Sequence, residues 1–426
     1  MITTPRRMRA ASIAAATAVA LSLSACAGGS GSAASGDGSD ALTVWLWPNA
    51  IGDTVQKQVE TDFADNDIQI STIGDNFKQK LVTTFSAKSG IPSVTGVKGE
   101  DMPYFLSEDS LFTDLNTLGI DDILSQFPEW KLAEATTADG RLIGLPMDIG
   151  PSALYYRTDV LEKAGLPTDP EEVAKETSTW DDYLAFGQKL NEATGAHLTV
   201  SLAQIFSMAV AQSDSGYVDE DGNFTGDSDA IRSAWDTSVK AYEMGLDAGL
   251  TDSSADWASA VNAGTLPTLL GAAWYQGDLK NGAPDTSGLW NVTSMPGGPA
   301  NIGGSFLTIP ASTTDTDTAI AFIREVLSAE NQATTYSEVG NFPSVSGALD
   351  EQALTDGDDF FGGQVTAEVF KTAIENMPTK YTSPYDSEVS APYFTELANV
   401  ESQGKDPEQA WNDAVTAAKQ ALTSAE

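Results

Sequence analysis

Apolar residues recur with two different periods along the first part of the chain. Residues 42–47 form a short β-rich run, 68–73 alternate apolar with polar, and 94–97 are again extended. Between them the spacing changes. Val55, Val59 and Phe63 fall on one helical face, Leu81 and Phe85 stand four apart, and 102–106 begin a further helix. Strand and helix alternate three times within about 65 residues, which predicts βαβ units and a mostly parallel sheet.

Further along, 142–149 and 153–156 are extended segments separated by Gly150-Pro151. Residues 180–193 are helical, with Ser178 or Thr179 as the cap. Ile231, Trp235, Val239 and Tyr242 mark a long amphipathic helix over 230–248, and 255–263 form another. Residues 268–275 and 306–309 read as strands; 316–327, 365–377, 392–401 and 407–422 read as helices. No internal repeat interrupts the succession.

The N-terminus follows different rules. Arg6, Arg7 and Arg9 precede an uncharged apolar stretch over 10–23, too short for an ordinary transmembrane helix but suited to the core of a secretory signal. Leu23-Ser24-Ala25-Cys26 follows and resembles the bacterial lipobox, in which the cysteine is diacylated and becomes the new N-terminus. The resemblance implies a signal peptide over 1–25 and a lipid anchor on Cys26, with two acyl chains giving stable membrane attachment. Residues 27–40 are almost all Gly, Ser, Ala and Asp, so 26–40 read as an anchor followed by a flexible tether.

Some 400 residues remain, enough for two lobes rather than one core. Lys plus Arg number 22 against 61 Asp plus Glu, a net charge of −39 that deepens once the three leader arginines are removed. Such a body repels nucleic acid and anionic headgroups. Cys26 is the only cysteine and His197 the only histidine, so the body has no disulfide, thiolate zinc site or multi-histidine site. It carries neither a Gly-x-Ser-x-Gly elbow nor a phosphate-binding loop. Asp219, Asp221 and Asn223 are spaced like the start of a calcium loop. However, Phe224 stands where that loop needs glycine and Ala230 where it needs an acid, so Asp221-Gly222 reads better as a hairpin turn. Neither a metal nor a cofactor is expected.

Five stretches, in order, resemble the extracellular solute-binding proteins of family 1, the maltose-binding-protein-like lipoproteins of carbohydrate ABC importers. They are 97–106 with Leu111-Phe112-Thr113-Asp114-Leu115; 140–161, with Gly140-Arg141-Leu142-Ile143-Gly144-Leu145-Pro146 and Ala153-Leu154-Tyr155-Tyr156; 269–275, ending in Trp274-Tyr275; 303–310, with the helix after it; and the C-terminal helix pair carrying Tyr393. Arg157 departs from the family pattern, which has Asn or Asp there. The resemblance implies an α/β, two-lobed periplasmic-binding-protein-like fold of type II, each lobe a mixed, mostly parallel sheet flanked by helices. The first lobe comprises 41–149 with 309–344 and the second 150–308 with 345–426. It further implies a monomer that closes around an extracellular sugar and delivers it to permease subunits of the importer, without covalent chemistry.

A sugar offers apolar C–H faces and a rim of hydroxyls, so its receptor needs aromatic rings together with carboxylates and amides. These should project from loops at the carboxyl ends of strands. On that reasoning and the resemblance, the expected ligand-binding residues are Trp47, Asn49, Glu100, Asp101, Asp148, Gln204, Trp274, Tyr275, Gln276, Gly304, Ser305, Phe342 and Tyr393. Two other functions compete: a secreted lyase or glycosidase, and the same fold holding a non-sugar solute. The tryptophans argue for stacking on a ring, and no catalytic constellation supports the enzyme.

Overall fold

The computed structural model describes residues 41–425 apart from Asp75 and Thr379; the leader, Cys26 and the tether lie outside the described residues. A six-stranded and a three-stranded sheet organise two lobes. The larger sheet has the order β2 (Gln69–Thr72), β1 (Thr43–Leu46), β3 (Val94–Lys98), β8 (Ser305–Thr308), β4 (Leu145–Ile149) and β9 (Phe342–Pro343). The smaller places β5 (Ser152–Arg157) between β6 (Thr268–Ala272) and β7 (Trp290–Ser294).

The first strands behave as their pattern predicts. Val44 and Leu46 point into the core, while Trp45 and Trp47 share the half-buried face. Val55 and Val59 bury one side of the helix Asp53–Asp62, and Phe77, Leu81 and Phe85 one side of the helix Phe77–Ala87. β1 pairs in parallel with β2 and β3. The expected parallel character ends there. β8 is antiparallel to β3 and β4, β9 is antiparallel to β4, and both pairings of β5 are antiparallel. The cause is topological. β1, β3 and β4 run outward to their carboxyl ends, whereas β8 re-enters the sheet from the second lobe and must start where they finish.

Two strands cross side by side between the lobes. Gly150 N donates to Asn301 Oδ1 at 3.1 Å, Ile302 N to Gly150 O at 2.8 Å and Ser152 N to Ala300 O at 3.0 Å. Each lobe has its own apolar core: Val44, Leu46, Phe105, Phe306 and Phe322 in the first, and two clusters around Tyr183, Trp235 and Tyr393 and around Tyr155, Trp257 and Trp290 in the second. Phe342 straddles the division. Its backbone joins the large sheet, but its ring packs on Tyr336 and Phe370 in a second-lobe core.

Several boundaries moved. The helix expected to start at Pro392 runs from Asp386 to Gln403 with Pro392 inside it. The long amphipathic helix is Asp229–Glu243, and the chain turns at Gly245 in the left-handed region before an extended stretch beside Thr199. Thr179 is the cap of the helix Trp180–Thr194, accepting from Asp182 N. Among the described residues no helix is long and apolar enough to cross a membrane.

Candidate functional site

The outward ends of the large sheet meet the hinge in a cleft of about 490 Å³. The chain leaving β1 delivers Trp47 and Asn49, β3 ends in Lys98 and the turn after it delivers Glu100, β4 delivers Asp148, and the approach to β8 delivers Ile302, Gly303 and Gly304, with Ser305 the first residue of that strand. Trp274, on the turn after β6, closes the far side. It also borders a second chamber of about 360 Å³ lined by Ser201, Gln204, Ser207, Asp252, Tyr275 and Phe394. Asp278 and Ile302 join Trp274 in lining both, so the two chambers adjoin across these three residues.

Both tryptophans lie where the backbone gives them room. A Cβ on Gly96 would sit 2.7 Å from the Trp47 ring, and a Cβ on Gly150 would sit 2.9 Å from Trp274. Only glycine lets either ring lie so close to the sheet and hinge. Trp47 also meets Phe77 edge to face at 5.4 Å, with the Lys98 ammonium 5.5 Å from its ring centre.

The acids differ in how far they are committed. Asp148 is buried; its carboxylate accepts from the Ser305 hydroxyl. Burial pushes its pKa up, while Ser305 and Lys131 oppose the shift. Lys131 was not anticipated from sequence. Its fully buried ammonium donates to Glu134 at 2.7 Å and to Gly303 O at 2.9 Å, and it lies 4.5 Å over Phe306. It holds the backbone that lines the cleft without lining the cleft itself. Glu100 forms no ion pair among the described residues, and desolvation leads its upward shift, opposed by a backbone hydrogen bond. Asp278 is raised to about 6, by burial first and by the neighbouring Asp252 second.

Gln204 is buried, and its Oε1 accepts from Thr199 Oγ1 at 2.9 Å. Its Nε2 has no protein partner among the described residues. A buried amide donor without a partner is costly, and this one is shielded from the chamber that the residue borders. Aromatic rings and carboxylate acceptors on one surface match the needs of a polyhydroxylated ring.

Trp47, Asn49, Glu100, Asp148, Trp274, Gly304 and Ser305 therefore line the first chamber, and Gln204 and Tyr275 the second. Tyr275 shows only its edge there; its hydroxyl is spent on Asp252 and its ring packs on Trp257 and Tyr155. Four expected residues do not reach the cleft. Asp101 turns to Lys78, 3.4 Å away. Gln276 is buried, donating to Ala273 O and accepting from Thr366. The strand expected over 268–275 stops at Ala272 and the helix Tyr275–Gly282 begins, so it is Gly277 and Asp278 that share the cleft side with Trp274. Phe342 is core, and its neighbour Asn341 lines the cleft instead. Tyr393 is fully buried, stacked on Phe206 at 5.8 Å and donating to Gly226 O at 2.8 Å; Phe394, one step round the helix, faces the second chamber. Asp278 and Phe394 were missed because each depends on helix phase, and Asn341 because it sits in the short link between the helix Ala329–Val339 and β9. The acidic turn holds no open carboxylate cage: Asp219 Oδ1 accepts from Asp221 N and Asn223 N, closing a hairpin between Val218 and Phe224.

A two-lobed α/β body with aromatic and acidic side chains gathered in a cleft at the hinge has the architecture of a cleft-binding protein. The chain belongs to the bacterial extracellular solute-binding protein family, whose model matches residues 54–362. It is 30% identical to a lactose-binding protein of Rhizobium radiobacter over 285 residues, 63% of this chain and 66% of that relative. It is 23% identical over 356 residues to an arabinooligosaccharide-binding protein of Halalkalibacterium halodurans, covering 79% of this chain and 78% of the relative. A solved structure described as an extracellular solute-binding protein family 1 member shares 27% identity at a TM-score of 0.79, covering 89% of this chain and 99% of its own. The galacto-N-biose-/lacto-N-biose I-binding protein of an ABC transporter from Bifidobacterium longum shares the fold at 20% identity and a TM-score of 0.75, covering 91% and 98%.

Proposed function

We propose that this chain captures a sugar, a short oligosaccharide above all, in the cleft between its lobes and hands it unaltered to the permease of an ABC importer. One observation carries the reading: the half-buried Trp274 borders two adjoining chambers, with Asp278 beside it lining both. Stacking needs the ring, and hydroxyl recognition needs the acceptor. Relatives that bind lactose and arabinooligosaccharide support the same class.

The receptor works as a monomer held at the outer face of the cell membrane by diacylated Cys26. The tether behind it keeps the body within reach of its permease and raises its effective concentration there. One lobe comprises 41–149 with 305–344, a boundary drawn ahead of β8 rather than at 309 because that strand lies inside the large sheet, and the other 150–304 with 345–426; closure brings the two cleft walls onto the ligand. A thermal-shift screen against lactose, maltose, arabinose, arabinobiose and arabinotriose tests the reading. At least one sugar should raise the melting temperature with no product formed; no shift with any of a broad sugar panel would discard it.

A further inference from the structure

Outside the cleft, one cation stands apart from the other ion pairs. Lys78, in the first turn of the helix Phe77–Ala87, places its ammonium 3.4 Å from Asp101 and 3.8 Å from Glu388. Asp101 belongs to the first lobe, at the start of the helix Met102–Ser107, whereas Glu388 belongs to the second, in the first turn of the helix Asp386–Gln403. Every other ion pair among the described residues joins partners within a single lobe. Lys78 also lies 5.0 Å over the Tyr104 ring, which keeps its stem pointed along the first lobe's rim.

We propose that Lys78 is a positioning residue that ties the lobes together, gripping Asp101 on its own lobe and reaching Glu388 on the other only when the cleft is shut. Asp101 sets the ammonium in place, since that carboxylate is largely buried and moves with the first lobe. Glu388 is half-exposed and becomes the mobile partner, gained on closing and lost on opening. The tie is wired to the binding site through one turn of chain. Lys98 and Glu100 line the cleft, Asp101 follows directly, and Asp101 N donates to Lys98 O at 3.0 Å. Ligand that orders this turn from the cleft side also holds Asp101 steady for Lys78. An exposed pair of this kind contributes little to folding, but a domain equilibrium near balance responds to small differences.

The inference goes beyond the sugar reading and depends only on the two-lobed fold, so its test needs no ligand. Cys26 is the only cysteine, and a chain carrying Cys26→Ser accepts spin labels at introduced Ser86→Cys and Thr395→Cys, one exposed site on each lobe. Electron–electron resonance then reads the separation between lobes. Lys78→Met, which keeps the stem over Tyr104, and Glu388→Gln should each raise the ratio of open to closed chains about two- to fivefold. The double variant should do no more than either alone, and 0.5 M NaCl should shift the parent but neither variant. Unchanged separations in both single variants would overturn the proposal, as would effects that simply add. Glu388→Gln, at a half-exposed site, keeps the test interpretable even where Lys78→Met weakens the fold.

Discussion

Asp278→Asn should make the empty protein more stable and the sugar-bound one weaker, with opposite responses to pH. The Asp278 carboxyl is raised to about 6, by burial first and Asp252 second, so folding disfavours its ionised form. The cost is absent below the unfolded value near ~4 and complete above about 6, so the empty protein gains stability as pH falls through that window. Allowing for solvent on its cleft side, the effect is about 1–2 kcal/mol at pH 7.5, or about 1–2 °C in Tm for a body of this size. Binding runs the other way. A sugar hydroxyl donates to the ionised carboxylate, and that fraction falls about tenfold between pH 7.5 and pH 5. Affinity should fall by up to the same factor, with Glu100 adding in the same direction because burial raises it too. In Asp278→Asn the pH dependence should flatten, affinity at pH 7.5 should drop about tenfold, and the empty protein should melt higher. Calorimetric titrations and melting curves at pH 5 and pH 7.5 measure all of this. A parent affinity that does not change with pH, together with a variant that melts no higher, would refute the reasoning.

Trp274→Ala should lower sugar affinity by at least about 2 kcal/mol, roughly thirtyfold, because the ring borders both chambers; titration calorimetry reads the loss. Tyr393→Phe removes only the hydrogen bond to Gly226 O, so it should cost about 1 kcal/mol in chemical denaturation and leave affinity unchanged. Lys131→Ala should destabilise by about 2–4 kcal/mol, since it empties a fully buried site and strips Gly303 O of its donor, while Lys131→Met should cost less than about 1.5 kcal/mol. Cys26→Ala should release the protein from membranes in a fractionation assay without altering its sugar affinity.

The sequence revealed the site where chemistry follows strand ends. Trp47, Asn49, Glu100 and Asp148 come directly after or within strands whose alternation is plain, and all four reach the first chamber. It was less informative where a strand gives way to a helix. Reading 268–275 as one strand put Tyr275 and Gln276 beside the ligand, yet a helix begins at Tyr275 and carries Asp278 round to the cleft. Tyr393 failed for a similar reason. One residue is about 100° on a helix, so its ring fills the core while Phe394 faces the second chamber. Lys131 was invisible because nothing local marks it; its partners Gly303 and Phe306 come from far along the chain. The antiparallel return of β8 was equally hidden, since a strand carries no record of the direction from which it enters its sheet.

Titration calorimetry with the sugar that gives the largest thermal shift, run on the parent and on Trp274→Ala, tests the central claim most directly. A cleft receptor predicts one sugar site per chain in the parent and an affinity loss of about thirtyfold in the variant. Equal affinity in the two proteins, or no binding heat with any sugar, would contradict it.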